Sequence, residues 1–436
     1  MSEIPLLAST DILVCGGGPA GLAAALAAAE EGAEVLLVEQ NQYLGGAATA
    51  MMVPAFCPFG YEGDPVNAGL GLRILYEMKR RMGDQSERIN WVPIDPEILK
   101  LLYDEMVTEA DIRVRFCTLV VGADVANGHV ESVLMAGKNG LRRVEARIYI
   151  DCTGDADLCA HAGCEFQFGD EVGEVMGTTL CFLVASVDRD RFEDYCRESG
   201  DKSYLPLAVA RAREAGDFEV PEFRAAGIGF PYPDVAGCNF GHVYHIDGSD
   251  PDSVTGGIME GRQTVQKLFA FLRAYVPGFE RARLVATAPQ LGVRETRRVV
   301  GDYILTFEDY LDRRSFDDDI ARNSYFIDLH ATSGDAELSK AGREPEIHQY
   351  SRGESHGIPY RCLTPRGFAN LLVAGRPISV DRAVHSSLRV MPPCFATGEA
   401  AGVAGAMAAG ADVPTRGVDV AALRDRLRAR GARVDA

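Results

Sequence analysis

Asp11-Ile12-Leu13-Val14-Cys15 runs directly into Gly16-Gly17-Gly18-Pro19-Ala20-Gly21, and no other feature constrains the fold of this chain as strongly. The apolar run reads as a short buried strand. Residues 22–31 are rich in Ala and Leu and read as a helix ended by Gly32. Val35-Leu36-Leu37-Val38 reads as a second buried strand, closing on Glu39. Strand, helix and strand within about 30 residues make a βαβ unit, the building block of a parallel sheet. In the Gly16-x-Gly18-x-x-Gly21 spacing, the first glycine permits a tight turn and the second lets the backbone approach a diphosphate. The third lets helix and strand pack closely. The helix then points unpaired N–H groups and a positive dipole end at the phosphates. Glu39 follows Gly21 by 18 residues. A carboxylate there accepts hydrogen bonds from both ribose hydroxyls and repels a 2′-phosphate. Together these features predict a bound dinucleotide.

Three further segments favour FAD over a nicotinamide dinucleotide. Leu44-Gly45-Gly46-Ala47-Ala48-Thr49 is a second glycine-rich turn just past Glu39 and Gln40, able to pass close to a diphosphate that extends across the sheet. Tyr149-Ile150-Asp151-Cys152-Thr153-Gly154-Asp155 resembles the Thr-Gly segment that closes the nucleotide domain in many flavoproteins. Late in the chain a strand pattern returns at 370–375, and Arg389-Val390-Met391-Pro392-Pro393 opens a small-residue helix over 393–409. A helix N-terminus there stabilises negative charge on N1/C2=O of a reduced flavin. The dinucleotide fingerprint occurs once, which argues against a separate nicotinamide domain. The expected cofactor-binding residues are therefore Gly16, Gly18, Pro19, Ala20, Gly21, Glu39, Gln40, Gly45, Gly46, Ala47, Thr153, Gly154, Asp155, Arg389, Val390 and Met391.

Between these segments, helices are expected at 69–82 and 95–110, and short strands in meander order at 114–116, 119–121, 129–134 and 147–150. Residues from about 170 to 355 show no βαβ rhythm and carry most of the loops. The fold class is thus α/β: a Rossmann-like FAD-binding domain of parallel sheet plus β-meander, built from residues 1–165 and 356–436. An α+β substrate domain is inserted at 166–355, with the active site in the cleft between the two. The helical insertion at about 60–110 is placed to cover that cleft.

With these segments assembled, the chain resembles the FAD-dependent oxidoreductase family with a glutathione-reductase-type FAD domain, distantly related to fumarate reductase flavoproteins and thiazole-forming enzymes. Besides the nucleotide motifs, the resemblance rests on Gly292-Val293-Arg294-Glu295-Thr296-Arg297-Arg298-Val299-Val300-Gly301-Asp302-Tyr303. It rests also on Ile327-Asp328-Leu329-His330, on Ile358-Pro359-Tyr360-Arg361-Cys362-Leu363, and on Ala374-Gly375-Arg376 through Met391-Pro392 to Gly402. It implies bound FAD and redox chemistry, and no particular substrate. The chain departs from larger relatives in two places. Gly375-Arg376 stands where they carry Gly-Asp, so the ribityl contact of that Asp is lost unless Asp381 replaces it. No His lies in 40–60, where the succinate-dehydrogenase type tethers its flavin, so FAD is expected to be non-covalent. The late Gly-Asp-Ala-x-His pattern of aromatic hydroxylases is absent as well.

Composition narrows the partners. With 44 basic and 63 acidic residues, the net charge is −19, which argues against nucleic-acid backbones and anionic membranes. Arg424, Arg426, Arg428, Arg430 and Arg433 crowd the C-terminus and read as a solvated helix end. Eleven scattered cysteines, with no Cys-x-x-Cys pair, suit a reducing cytoplasm and no structural metal. No cleavable leader and no membrane-spanning run are recognised, so the expected setting is cytoplasmic. A small-molecule substrate is expected, with the electron acceptor and any homo-oligomer left open.

Catalysis on a flavin needs a positioned carbon donor and often a base for the adjacent proton. Of eight histidines, His330, His242 and His385 are the candidates. His242 and His245 would face opposite sides of a strand, so at most one of them points at a site. Arg294 heads an arginine cluster with Arg297 and Arg298, and an inward arginine can clamp a carboxylate. Arg389 is the candidate for charge near flavin N1. Tyr360 can donate to a substrate oxygen, and Cys57, Cys362 and Cys394 are thiols near predicted FAD segments, with packing roles the default for all four. The leading reading is a dehydrogenase or oxidase passing hydride from a small organic substrate to flavin N5. The alternatives are a flavin-dependent reductase of an activated C=C bond, or a flavin-binding protein whose FAD is structural or non-redox.

Overall fold

The residues at 12–15 and 35–38 are all apolar, as strands covered by helices on both faces require. A computed structural model, which describes residues 4–201, 204–222, 225, 227–340 and 348–436, places both in one seven-stranded sheet. Strand β1 (Leu6–Cys15) pairs in parallel with β2 (Val35–Val38) on one side. Beyond β2 lies β3 (Arg113–Arg115). The meander follows as β4 (Leu119–Ala126), β5 (His129–Gly137) and β6 (Gly140–Asp151). The 12-residue β6 belongs to both halves of the sheet. It runs parallel to β1 along its length, its start pairs antiparallel with β5, and its end pairs parallel with Leu371–Val373. One strand thus joins the parallel sheet, the meander and the late return of the chain, giving the α/β fold with a Rossmann-type nucleotide half.

Helix α1 (Pro19–Glu30) begins three residues earlier than its apolar pattern suggests, because Pro19 suits the first helical turn. The predicted helices appear at Leu70–Met82 and Pro96–Glu109. In the stretch read as mostly loops, α2 (Pro251–Tyr275) runs for 25 residues. Asp250 caps it, accepting from the N–H groups of Asp252 and Ser253.

Helix α3 (Met391–Ala411) packs on α1 through small residues. A Cβ at Gly398 would fall 2.1 Å from the Ala20 carbonyl oxygen, and one at Gly402 would fall 2.2 Å from that of Ala24. The two pairs advance together along both helices, so α1 and α3 run in the same direction. Their N-termini therefore open at the same end of the sheet, where β1 ends and Gly16 begins.

Buried apolar residues form two clusters. One draws on residues 12–164 and 299–434. The other draws on residues 180–291, including α2 and a four-stranded antiparallel sheet. Val299, Leu305, Tyr310, Ile320 and Tyr350 pack into the first cluster, although they lie within 166–355. The C-terminal arginines pair with acids rather than forming an open basic face: Arg424 with Asp435, Arg426 with Glu31, Arg430 with Glu399 and Arg433 with Asp64. Among the described residues no helix is long and apolar enough to cross a membrane.

Candidate functional site

The turn after β1 depends on Gly16, whose φ of +96° favours glycine and where a Cβ would lie 2.4 Å from the Cys152 carbonyl oxygen. At Gly21 a Cβ would lie 1.7 Å from the Gly16 carbonyl oxygen, so α1 can start only with glycine there. At Gly18 the nearest atom to an added Cβ is Gly46 Cα at 4.0 Å, and both glycines face the cavity. The Gly45 N–H donates to the Gly17 carbonyl at 2.8 Å, stitching the second glycine turn to the first. At the end of β2 the buried Glu39 carboxylate accepts from the Gly17 N–H (2.7 Å), the Asn41 N–H (2.8 Å) and the Asn41 side-chain amide (2.7 Å). A carboxylate offers about four lone-pair positions, so acceptor capacity remains for ribose hydroxyls.

A continuous cavity of about 990 Å³ joins these parts, at the upper end of the ~300–1,000 Å³ usual for small-molecule sites. It starts at Gly16, Gly18, Pro19 and Ala20 and passes Glu39 and Gln40. It continues by Gly46, Ala47 and Thr153–Asp155 to Arg389, Val390 and Met391. Gly21 and Gly45 stand behind this lining, as their packing roles require. Neither α1 nor α3 has a side-chain cap at its N-terminus, and Pro19 and Met391 both line the cavity. An acid for the ribose, two glycine turns and two uncapped helix starts on one cavity fit FAD. Arg376 also lines it, bonded to Asp155 Oδ1 (2.6 Å) and the Val293 carbonyl (2.8 Å). Asp381 does not replace the missing acid. It caps helix Arg382–Leu388, accepting from the Val384 N–H at 2.8 Å.

The far arm of the cavity holds Arg294, Asp328 and His330. His330 Nδ1 lies 2.9 Å from His242 Nε2, and His242 Nδ1 lies 2.5 Å from Glu222 Oε1. Glu222 is buried and also accepts from the backbone N–H groups of Gly241 and His242. Burial pushes its carboxyl up, but the His242 charge and these donors outweigh that, and the net shift is downward. On the other side, Asp328 Oδ2 lies 3.6 Å from His330 Nε2 and 3.3 Å from Arg389 Nη2. Burial and then the Arg294 charge hold His330 well below the ordinary histidine range, so its ring is neutral at pH 7.

The remaining candidates scatter. His385 is buried on helix Arg382–Leu388, has no hydrogen-bond partner on either ring nitrogen among the described residues and is not among the residues that line the cavity. His245 is exposed and pairs with Glu174. The arginine cluster divides, because Arg297 bonds the Asp155 carbonyl and Asp157, while Arg298 bonds Glu295 and the Gly169 carbonyl. Tyr360 donates to the Thr415 carbonyl at 2.9 Å and is packed away. Cys57 and Cys394 line the cavity, but burial pushes both thiols up to about 12, so they stay protonated. Cys362 is buried. Sequence reasoning missed Glu222, a lone acid in a loop-rich stretch with no motif around it. It also gave no role to Asp328, although the Ile327–His330 block contains it.

The FAD dependent oxidoreductase family matches this chain over residues 11–427. The thiamine thiazole synthase of Aeropyrum pernix is 65% identical over 37 residues, which make 8% of this chain and 14% of that protein. Among solved structures, a p-nitrophenol 4-monooxygenase from Pseudomonas putida aligns over 98% of this chain and 82% of its own, at 12% identity and a TM-score of 0.47. A geranylgeranyl bacteriochlorophyll reductase-like protein from Thermoplasma acidophilum aligns over 97% of this chain and 82% of its own, at 12% identity and a TM-score of 0.46.

Proposed function

The chain belongs to the FAD dependent oxidoreductase family, and from that premise we propose that this FAD-dependent enzyme oxidises a small organic substrate with His330 as its base. Bound FAD supplies the hydride acceptor, N5. The observation that carries the reading is the hydrogen-bonded line Glu222–His242–His330, which runs from a buried carboxylate to a half-buried, cavity-lining imidazole.

Ionised Glu222 favours a proton on His242 Nδ1, which leaves His242 Nε2 as the acceptor for His330 Nδ1–H. His330 Nε2 is then the bare nitrogen, and the ring is neutral and ready to take a proton. Once Nε2 is protonated, Asp328 Oδ2 at 3.6 Å faces the new charge. The Nδ1 proton can move on to His242 Nε2, placing the charge beside Glu222. Arg389, held by Asp328, stands at the start of α3. There its charge and the helix end together favour an electron-rich ring system.

Anaerobic addition of alcohols, amines and hydroxy acids to the holoenzyme, followed in the visible flavin band, tests this reading. At least one donor class is expected to bleach the flavin. If no donor does so, and dithionite-reduced enzyme is reoxidised by an unsaturated acid, the chain is a C=C reductase and the proposal fails.

A further inference from the structure

Among the described residues Arg294 has no counter-ion, whereas Arg376 pairs with Asp155 and Arg389 with Asp328. Arg294 is buried, and among the described residues its one hydrogen bond is from Nη1 to the Gly177 carbonyl at 2.5 Å. A guanidinium carries five N–H donors in a planar fork. Leaving most of them and the charge unmatched in a buried site is costly unless a ligand completes them. Burial, then the neighbouring Arg389 charge, pull its pKa down to about 10. It is still a cation at neutral pH, and the environment disfavours that charge.

The strands around Arg294 place it. Thr179 is buried and lines the cavity. Its backbone pairs with Gly292, two residues before Arg294, and stands opposite His242 in the register of their strands. Asn239 and Gln290 also line the cavity. The Arg294 cation lies on the His330 side of it, close enough for its charge to act on that ring.

We propose that Arg294 anchors the carboxylate of the substrate, so that the substrate is a small organic acid. A planar carboxylate matches the guanidinium fork with two parallel hydrogen bonds. This rests on the oxidation reading above and adds the substrate class to it. A carboxylate held there presents the rest of the molecule to the arm where His330 stands.

The test uses holoenzyme and matched probes: benzoate against benzamide, and succinate against succinamide. Binding is read as a perturbation of the visible flavin spectrum. Wild-type protein is expected to bind the carboxylates and to discriminate against the neutral amides. Arg294→Met should weaken carboxylate binding by roughly 10- to 100-fold with one FAD per chain retained, and Arg294→Lys should recover part of it. Equal binding of acids and amides by the wild type overturns the proposal without needing any variant. So does loss of FAD from Arg294→Met, which would mark the cofactor's own diphosphate as the anion. Failure of the oxidation reading looks different, since it appears as flavin that no donor bleaches, whatever the probes do.

Discussion

His242 Nε2 and His330 Nδ1 lie 2.9 Å apart, so one proton serves both atoms. The direction of that hydrogen bond is set from behind by Glu222, which faces His242 Nδ1. The imidazole at the cavity is therefore connected, through His242, to a carboxylate that does not contact it.

Glu222→Gln keeps an acceptor for His242 but removes the charge that favours a protonated pair. The rate of flavin reduction should fall by about 10- to 100-fold. The acid limb of its pH profile should move to lower pH, because the pair becomes harder to protonate. FAD content should not change. A purely structural role for Glu222 would lower FAD content or thermal stability and leave the limb in place.

Glu39 is expected to hold the ribose of FAD from the end of β2. Glu39→Gln weakens charge-assisted hydrogen bonds worth about 1.5–3 kcal/mol, or roughly 10- to 150-fold in affinity. Equilibrium dialysis of FAD against apoprotein measures this directly. An unchanged dissociation constant would remove Glu39 from the cofactor site.

His356 is fully buried, with Nδ1 bonded to the Tyr350 hydroxyl at 3.0 Å and Nε2 without a partner among the described residues. Burial, then the Arg322 charge, lower its pKa from 6.5 to about 3. The unfolded chain therefore binds a proton below about pH 6.5 that the folded chain refuses, and stability falls as pH drops through that window. The contribution is about 1.4 kcal/mol per pH unit for this group. His356→Asn is less stable at pH 7.5, but the gap to wild type should narrow by that slope between pH 6 and 4. Urea midpoints that stay parallel across this range would contradict the assignment.

The nucleotide half of the molecule was legible in the sequence because its signals are local. A turn, a helix start and an acid at fixed spacing each have one physical cause, and β1, α1, β2 and the Leu371–Val373 return follow them. Helix α2 was missed although Asp250-Pro251 is a sound start signal. Gly256, Gly257 and Gly261 break its apolar pattern, and two of them exist for close packing: a Cβ at Gly257 would meet Ile246 and Leu291, and one at Gly261 would meet Leu180. The Glu222–His242–His330 line and Arg294 were half legible. His330 and Arg294 sit in recognisable blocks, whereas Glu222 reaches His242 across 20 residues, and His242 reaches His330 across 88. Contacts at that separation leave no periodic trace. The failure of His385 has the same cause, since nearness in sequence to the Arg389 turn does not give a side chain a view of the cavity.

The account depends most on His330 acting as the base. Rapid anaerobic mixing of holoenzyme with a reducing substrate, comparing wild type with His330→Asn, measures the flavin reduction step alone. The variant is expected to keep its FAD and its substrate affinity, yet to reduce the flavin about 10²- to 10⁴-fold more slowly, with the acid limb of the pH profile lost. Reduction at the wild-type rate and with the wild-type pH profile would contradict it.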